Sequence, residues 1–207
     1  MRRKSVLIII LLVSFVLILL TVMSYAGTEV FSLFRKFRNT TTKSNEEIVA
    51  IVNGEKITKK HIDFIVEYKT LSNKNAEMYE KENGLEVKQR TVDREEIILQ
   101  EIKKVVIWQE TQKQNLAVDY EYAYKQAEQI YEGSKSDKYV TEELEAYMKA
   151  NDLSEKEYIK LYAKSYQKQL SEQKLYEKIT ENVSETKEEY FQNYVNKLVE
   201  SSKITRF

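Results

Sequence analysis

The stretch Ala50-Ile-Val-Asn-Gly-Glu-Lys-Ile-Thr-Lys-Lys60, AIVNGEKITKK, decides how the rest of the chain is read. Ile48 to Val52 is apolar and largely β-branched, and with Glu55 to Thr58 it suits a pair of short strands. Asn53-Gly54 stands between them. Asn-Gly is the pair that a two-residue hairpin turn favours, because both turn positions need positive φ. Thr58 then fits a helix N-cap, since its hydroxyl can accept from a free N–H in the first helical turn. A hairpin that runs straight into a helix is the expectation.

Everything around the hairpin reads as helix. The chain has 207 residues, no proline and only four glycines, so it avoids helix breakers. A first helix is expected from Lys59, with Ile62, Ile65, Tyr68 and Leu71 on one face, fading before Asn83-Gly84. A second runs from about Asp93 to Gln114 on Ile98, Ile102, Val105 and Gln109, widened by Ile97, Val106 and Trp108. Asp119 caps a third that carries Ala123, Ala127 and Ile130. Ser134 to Tyr139 reads as a polar loop, and Thr141 as the cap of a short helix with Leu144, Tyr147 and Met148. Ser154 and Glu157 form a capping box ahead of a long helix through Leu161, Leu170, Leu175 and Ile179. Val183-Ser184 opens the last helix, whose stripe is Phe191, Tyr194, Val195, Leu198 and Val199. Lys203 to Phe207 looks like a strand. An isolated hairpin is marginal in water, so this terminal strand is expected to pair with it.

The N-terminal end is of another kind. Arg2, Arg3 and Lys4 precede an uncharged apolar run from Val6 to Met23. Roughly 20 apolar residues cross a hydrocarbon core as a helix, so residues 1–26 read as a transmembrane anchor. A cleaved signal peptide is the competing reading, because Ser24-Tyr25-Ala26 offers small residues for cleavage. Either reading sends the remainder out of the cytoplasm, as a single-pass protein with an extracytoplasmic C-terminal domain or as a secreted one. Residues 27–46 hold Phe31, Leu33, Phe34 and Phe37 among Arg35, Lys36 and Arg38. They suit a segment at the membrane surface, or a helical continuation followed by a Thr/Ser/Asn tether. The expected organisation is anchor or signal 1–26, juxtamembrane linker 27–46, and one helical domain 47–207.

Charge and composition exclude several functions. The 33 basic and 33 acidic residues balance, which argues against nucleic acid as a partner. With no cysteine there are no disulfides and no thiolate chemistry. His61 is the only histidine and reads as a surface residue; alone it cannot supply a zinc site or other metal centre. Glycine-rich phosphate loops and nucleophile-elbow serines are absent, so no catalytic residue and no cofactor site is expected. The 15 tyrosines are the unusual feature. A tyrosine offers a large apolar face and a wet hydroxyl, which suits adaptable contact with other chains. Tyr158, Tyr162, Tyr166 and Tyr176 are the candidates for an exposed binding row on the long helix; the competing reading places them at the edges of a shallow core.

IVAIVNGEKITKKHID resembles the opening signature of the SurA/PrsA-type extracytoplasmic chaperones and foldases, in which Asn53, Gly54 and Thr58 match the signature positions. The order of later segments, REEIILQEIKKVVIWQETQKQNLAVD and LSEKEYIKLYAKSYQKQLSEQKLYEKITENVSETKEEYFQNY, is similar to that family's helical chaperone module. The resemblance implies ATP-independent binding of unfolded or exported polypeptides, or else a dedicated interaction subunit of an export or envelope complex. It also marks a departure. Foldases of this type carry a parvulin isomerase domain after the last segment, built on paired histidines, whereas here Phe191 is followed almost directly by NKLVESSKITRF. Prolyl isomerase activity is therefore not expected. The fold expected is mainly α: an N-terminal transmembrane helix, then a helical module whose β-hairpin pairs with a C-terminal strand.

Overall fold

A computed structural model describes residues 47–184 and 186–207. Two strands open it, β1 (Ile48–Val52) and β2 (Glu55–Thr58). Six helices follow: α1 (Lys59–Glu82), α2 (Arg94–Lys113), α3 (Tyr120–Ser134), α4 (Lys138–Asn151), α5 (Glu155–Ile179) and α6 (Lys187–Ser201). A short strand β3 (Ile204–Arg206) closes it.

The sheet is antiparallel in the order β2-β1-β3, so the terminal strand does pair with the hairpin. Asn53 and Gly54 have φ of 51° and 94°, the positive values that the turn requires. Thr58 Oγ1 accepts from the His61 N–H and caps α1, as its place after β2 suggested. Ala50, Val52 and Ile57 are buried on one face of the sheet, and Ile62 of α1 with Ile97, Ile98, Ile102 and Val106 of α2 fill the space against them. Each such valine or isoleucine side chain contributes about 1.5–3 kcal/mol on full burial. Leu198, Val199 and Ile204 pack on this core from the far end of the chain.

A second core joins α3, α4 and α5 through Ala127, Tyr131, Met148, Ile159 and Ala163. A third joins α2, α5 and α6 through Ile107, Leu175, Phe191 and Val195. The long α5 therefore spans two packing environments. Its 25 residues extend about 37 Å at 1.5 Å per residue. The α2–α3 connection is tied to its middle: the Val118 N–H donates to the buried Ser171 Oγ at 2.9 Å, and Gln167 Nε2 donates to the Val118 carbonyl at 2.8 Å.

With no proline to stop them, three helices end in the same hydrogen-bonded turn. Gly84, Asn115 and Asp152 each take positive φ. The next residue then donates back to the carbonyl five positions earlier, as in Leu116 to Thr111 and Leu153 to Met148. This is the left-handed C-terminal cap, which satisfies carbonyls that the helix leaves free.

Three expectations are corrected. The α4 start lies at Lys138, because Asp137, not Thr141, receives the Val140 N–H at the helix entry. The last helix starts at Lys187 behind Thr186, so Val183 and Ser184 lie in the connection before it. The third concerns the membrane: among the described residues no helix is long and apolar enough to cross one. The described fold is thus the helical module with its three-stranded sheet, and no helix among these residues answers to the transmembrane helix, the membrane partner or the single-pass placement read from the sequence. The run Val6 to Met23 and the segment 27–46 lie outside the described residues.

Candidate functional site

The sequence offered a tyrosine row on one helix, and the structure builds most of it into a continuous stack. Tyr158, Tyr162 and Tyr166 follow one another at four-residue spacing on α5, which places them on one face. The rings of Tyr158 and Tyr162 lie parallel, with centroids 6.3 Å apart, and those of Tyr162 and Tyr166 stack at 5.9 Å. Two residues that the sequence reading missed extend the stack from neighbouring helices. Tyr131 of α3 and Tyr147 of α4 both meet Tyr158 at 5.7 Å, the latter edge-on. The signal for Tyr131 was its four-residue spacing after Ala127 on the inner face of α3.

The row is less open than expected. Tyr166 is buried, and Tyr158 and Tyr162 are half-buried. Burial pushes the phenols of Tyr158, Tyr162 and Tyr166 above the ordinary tyrosine value, so they are neutral hydrogen-bonding groups at neutral pH. Exposed apolar groups flank the stack: Leu161 on α5 is 49% exposed, and Tyr122 on α3, whose phenol is near enough to Tyr166 to act on it electrostatically, is 54% exposed. Lys135 covers the outer side of Tyr131, with its Nζ 4.7 Å from the ring centroid, and joins Glu132 to Glu155 across α3 and α5.

Tyr176 does not join this row. It is half-buried in the other core, edge-on to Phe191 at 5.1 Å. The separation follows from α5 itself, whose buried face turns between Tyr166 and Ser171.

The three signature residues hold structure instead of facing a ligand. Asn53 Nδ2 donates to Gln109 Oε1 at 2.8 Å and to Ser202 Oγ at 3.2 Å, and its Oδ1 accepts from the Lys203 N–H at 2.8 Å. Gly54 completes the turn and Thr58 caps α1. His61 is exposed and meets Glu101 at 2.9 Å. Burial alone would raise the Glu101 carboxyl, but hydrogen bonds from His61 and Lys104 outweigh it and hold the group at about 2. Among the described residues no group of His, Cys, Asp and Glu could hold a metal ion.

A cavity of about 590 Å³ lies apart from the stacked tyrosines, where α5 turns into α6; Lys178, Asn182, Thr186, Glu189 and Tyr190 are among its lining residues. Its rim is largely polar and holds none of the stacked rings. The stacked tyrosines, with Leu161 and Tyr122 beside them, are the better candidate for binding.

Compared with known families, residues 1–176 match a family model described as SurA-like N-terminal domain. What is matched is the N-terminal chaperone module, and no parvulin catalytic domain is detected in this sequence. No curated protein matches, and no solved structure does.

Proposed function

We propose that this chain, which belongs to the family of SurA-like N-terminal domains, holds unfolded polypeptide segments against the tyrosine row of α5 without ATP and without catalysis. The observation that carries this reading is the stack of Tyr147, Tyr158, Tyr162 and Tyr166, bordered by exposed Leu161 and Tyr122. The half-buried rings of Tyr147, Tyr158 and Tyr162 leave a ridge of apolar edges and hydroxyls that is already ordered, with buried Tyr166 behind it. A chain lying along it loses apolar contact with water while the protein gives up little side-chain freedom. Such contacts need no fixed sequence in the bound segment, which suits a protein that meets many unfolded chains. Occupying an unfolded chain in this way removes it from aggregation by mass action.

The test is suppression of light scattering by a chemically unfolded model protein at modest molar excess of the 207-residue chain. Suppression is expected, and Tyr162→Ala should weaken it while Tyr176→Ala leaves it nearly intact. No suppression at any ratio sinks the reading; equal loss from both substitutions sinks the placement on α5.

A further inference from the structure

We propose that the outer edge of β3 receives an extended segment of a bound polypeptide as a fourth strand. This rests on the reading that the chain binds unfolded polypeptides, and it names a second contact that such a segment makes.

The register of the sheet sets which backbone groups are free. The Asn53 N–H donates to the Lys203 carbonyl at 2.9 Å, and the Phe207 N–H donates to the Val49 carbonyl at 3.1 Å. Thr205 faces Ile51 between them. Residues 203, 205 and 207 therefore turn their amides and carbonyls toward β1. In an antiparallel ladder the alternate residues point the other way, so Ile204 and Arg206 direct theirs outward. Among the described residues no group meets them there. Thr205, Arg206 and Phe207 are all exposed, Phe207 to 76%.

The opposite edge is guarded. On β2 the outward residues are Lys56 and Thr58; Thr58 is spent on capping α1, which leaves the sheet at once, and Lys56 presents a charge. A lysine on a short edge strand discourages pairing. The β3 edge has no such turn beside it, and it overlooks an apolar shelf. Ile204 is half-buried against the sheet core. Arg206 Nη1 reaches Glu95 Oε2 at 3.2 Å, which brings the first turn of α2 under this edge. Leu99, one turn farther along the same side of α2, is 39% exposed.

These features choose the occupant. Paired outward amides and carbonyls are satisfied together only by another extended backbone, the geometry of strand addition. Two copies of this chain paired antiparallel through these edges would set Arg206 opposite or diagonal to Arg206 of the other copy on the same face, and like charges facing across strands are destabilising. A segment with an apolar residue over Ile204 and Leu99 and an acidic residue beside it meets the edge with complementary charge.

The experiment uses the full chain and reduced, carboxymethylated lactalbumin, a permanently unfolded acidic protein, as probe. Arg206→Pro removes one outward N–H, and proline is tolerated at an edge position. Arg206→Ala removes the same charge but keeps the N–H. The Ile204 and Arg206 amides of the unmodified chain should exchange more slowly with probe bound. Arg206→Pro should bind the probe about tenfold more weakly than Arg206→Ala, with matching melting temperatures. Equal binding by the two variants, or unchanged exchange at saturation, overturns the strand addition alone. If Arg206→Pro fails to fold, the exchange of the Ile204 amide in Arg206→Ala decides. Failure of the unmodified chain to bind the probe overturns this proposal together with the reading beneath it.

Discussion

Asn53 and Lys203, which stand 150 residues apart, hold each other by two hydrogen bonds, one from each backbone N–H. The Asn53 amide also reaches Gln109 in α2 and Ser202 at the end of α6. One turn residue thus fastens the first strands, a central helix and the last strand. Asn53→Gly keeps a residue at ease with positive φ and removes only the side-chain bonds. It should lower stability by about 1–3 kcal/mol, seen as an earlier urea midpoint at unchanged slope. A midpoint equal to the parent's would show that the side chain adds nothing beyond the turn.

Removing Lys203 to Phe207 deletes β3 and uncovers one side of β1 and the buried Val52. The melting temperature should fall by roughly 5–10 °C, taking about 2–4 °C for each kcal/mol in a domain of this size. A second observable is amide exchange in β1, which should speed up at Ile51, the residue paired with Thr205.

Two half-buried glutamates should respond to acid in opposite directions. The Glu101 carboxyl is held at about 2, below its ordinary value of 4.5. Its contribution is present above the unfolded pKa and is lost as the pH falls toward about 2. Glu101→Gln should therefore flatten the acid limb of the stability profile. Glu172 is raised, chiefly by burial and also by nearby Glu188, against the pull of Lys104. A raised carboxyl stabilises only while protonated, so at pH 7 its charge is a burden. Glu172→Gln should raise the melting temperature at pH 7 and show less advantage at pH 4. Calorimetry at both pH values checks the pair.

The stacked phenols give an alkaline signature. Burial raises Tyr147, Tyr158, Tyr162 and Tyr166 above the ordinary value of 10. The stabilisation is complete below that value and is lost as the pH climbs through the folded values. Ultraviolet titration should show these phenols ionising late, with loss of helical circular dichroism. Tyr158→Phe should delay the loss, because it removes the phenol that has to ionise among the other three.

Ser171 is a sharper test of packing than its size suggests. It is fully buried and accepts the Val118 N–H. Ser171→Ala strands that donor and should cost about 1–3 kcal/mol, whereas Ser165→Ala on the exposed face of the same helix should be nearly silent.

Much of this architecture was legible because local chemistry carried it. Asn53-Gly54, Thr58, Asp93, Asp119 and the Ser154–Glu157 box all mark their boundaries through hydrogen bonds made within a few residues. The pairing of the chain ends followed from the needs of an unsupported hairpin. The cap of α4 was misread because both Asp137 and Thr141 suit the role and only the fold chooses between them. The tyrosine row was misjudged for a different reason. At about 100° per residue, the five-residue step from Tyr166 to Ser171 rotates the buried face of α5 by about 140°. A single amphipathic stripe cannot represent a helix that serves two cores, so the sequence leaves open the choice between an exposed row and a core edge and groups Tyr176 with Tyr158 and Tyr162. Tyr131 and Tyr147 entered the stack through tertiary packing, which spacing along α5 does not encode.

The fastening of β1 by β3 has a temporal consequence. During synthesis the hairpin emerges long before its partner, since Lys203 follows Asn53 by 150 residues. At about 5–20 residues per second the wait is roughly eight to thirty seconds. Through that interval Val52 and Ile51 lie at an open margin of a two-stranded ribbon that is marginal alone. Closing so distant a contact also slows folding, because the chain entropy of the intervening loop must be overcome first. β1, made long before β3, is therefore among the last of the described elements to become secure.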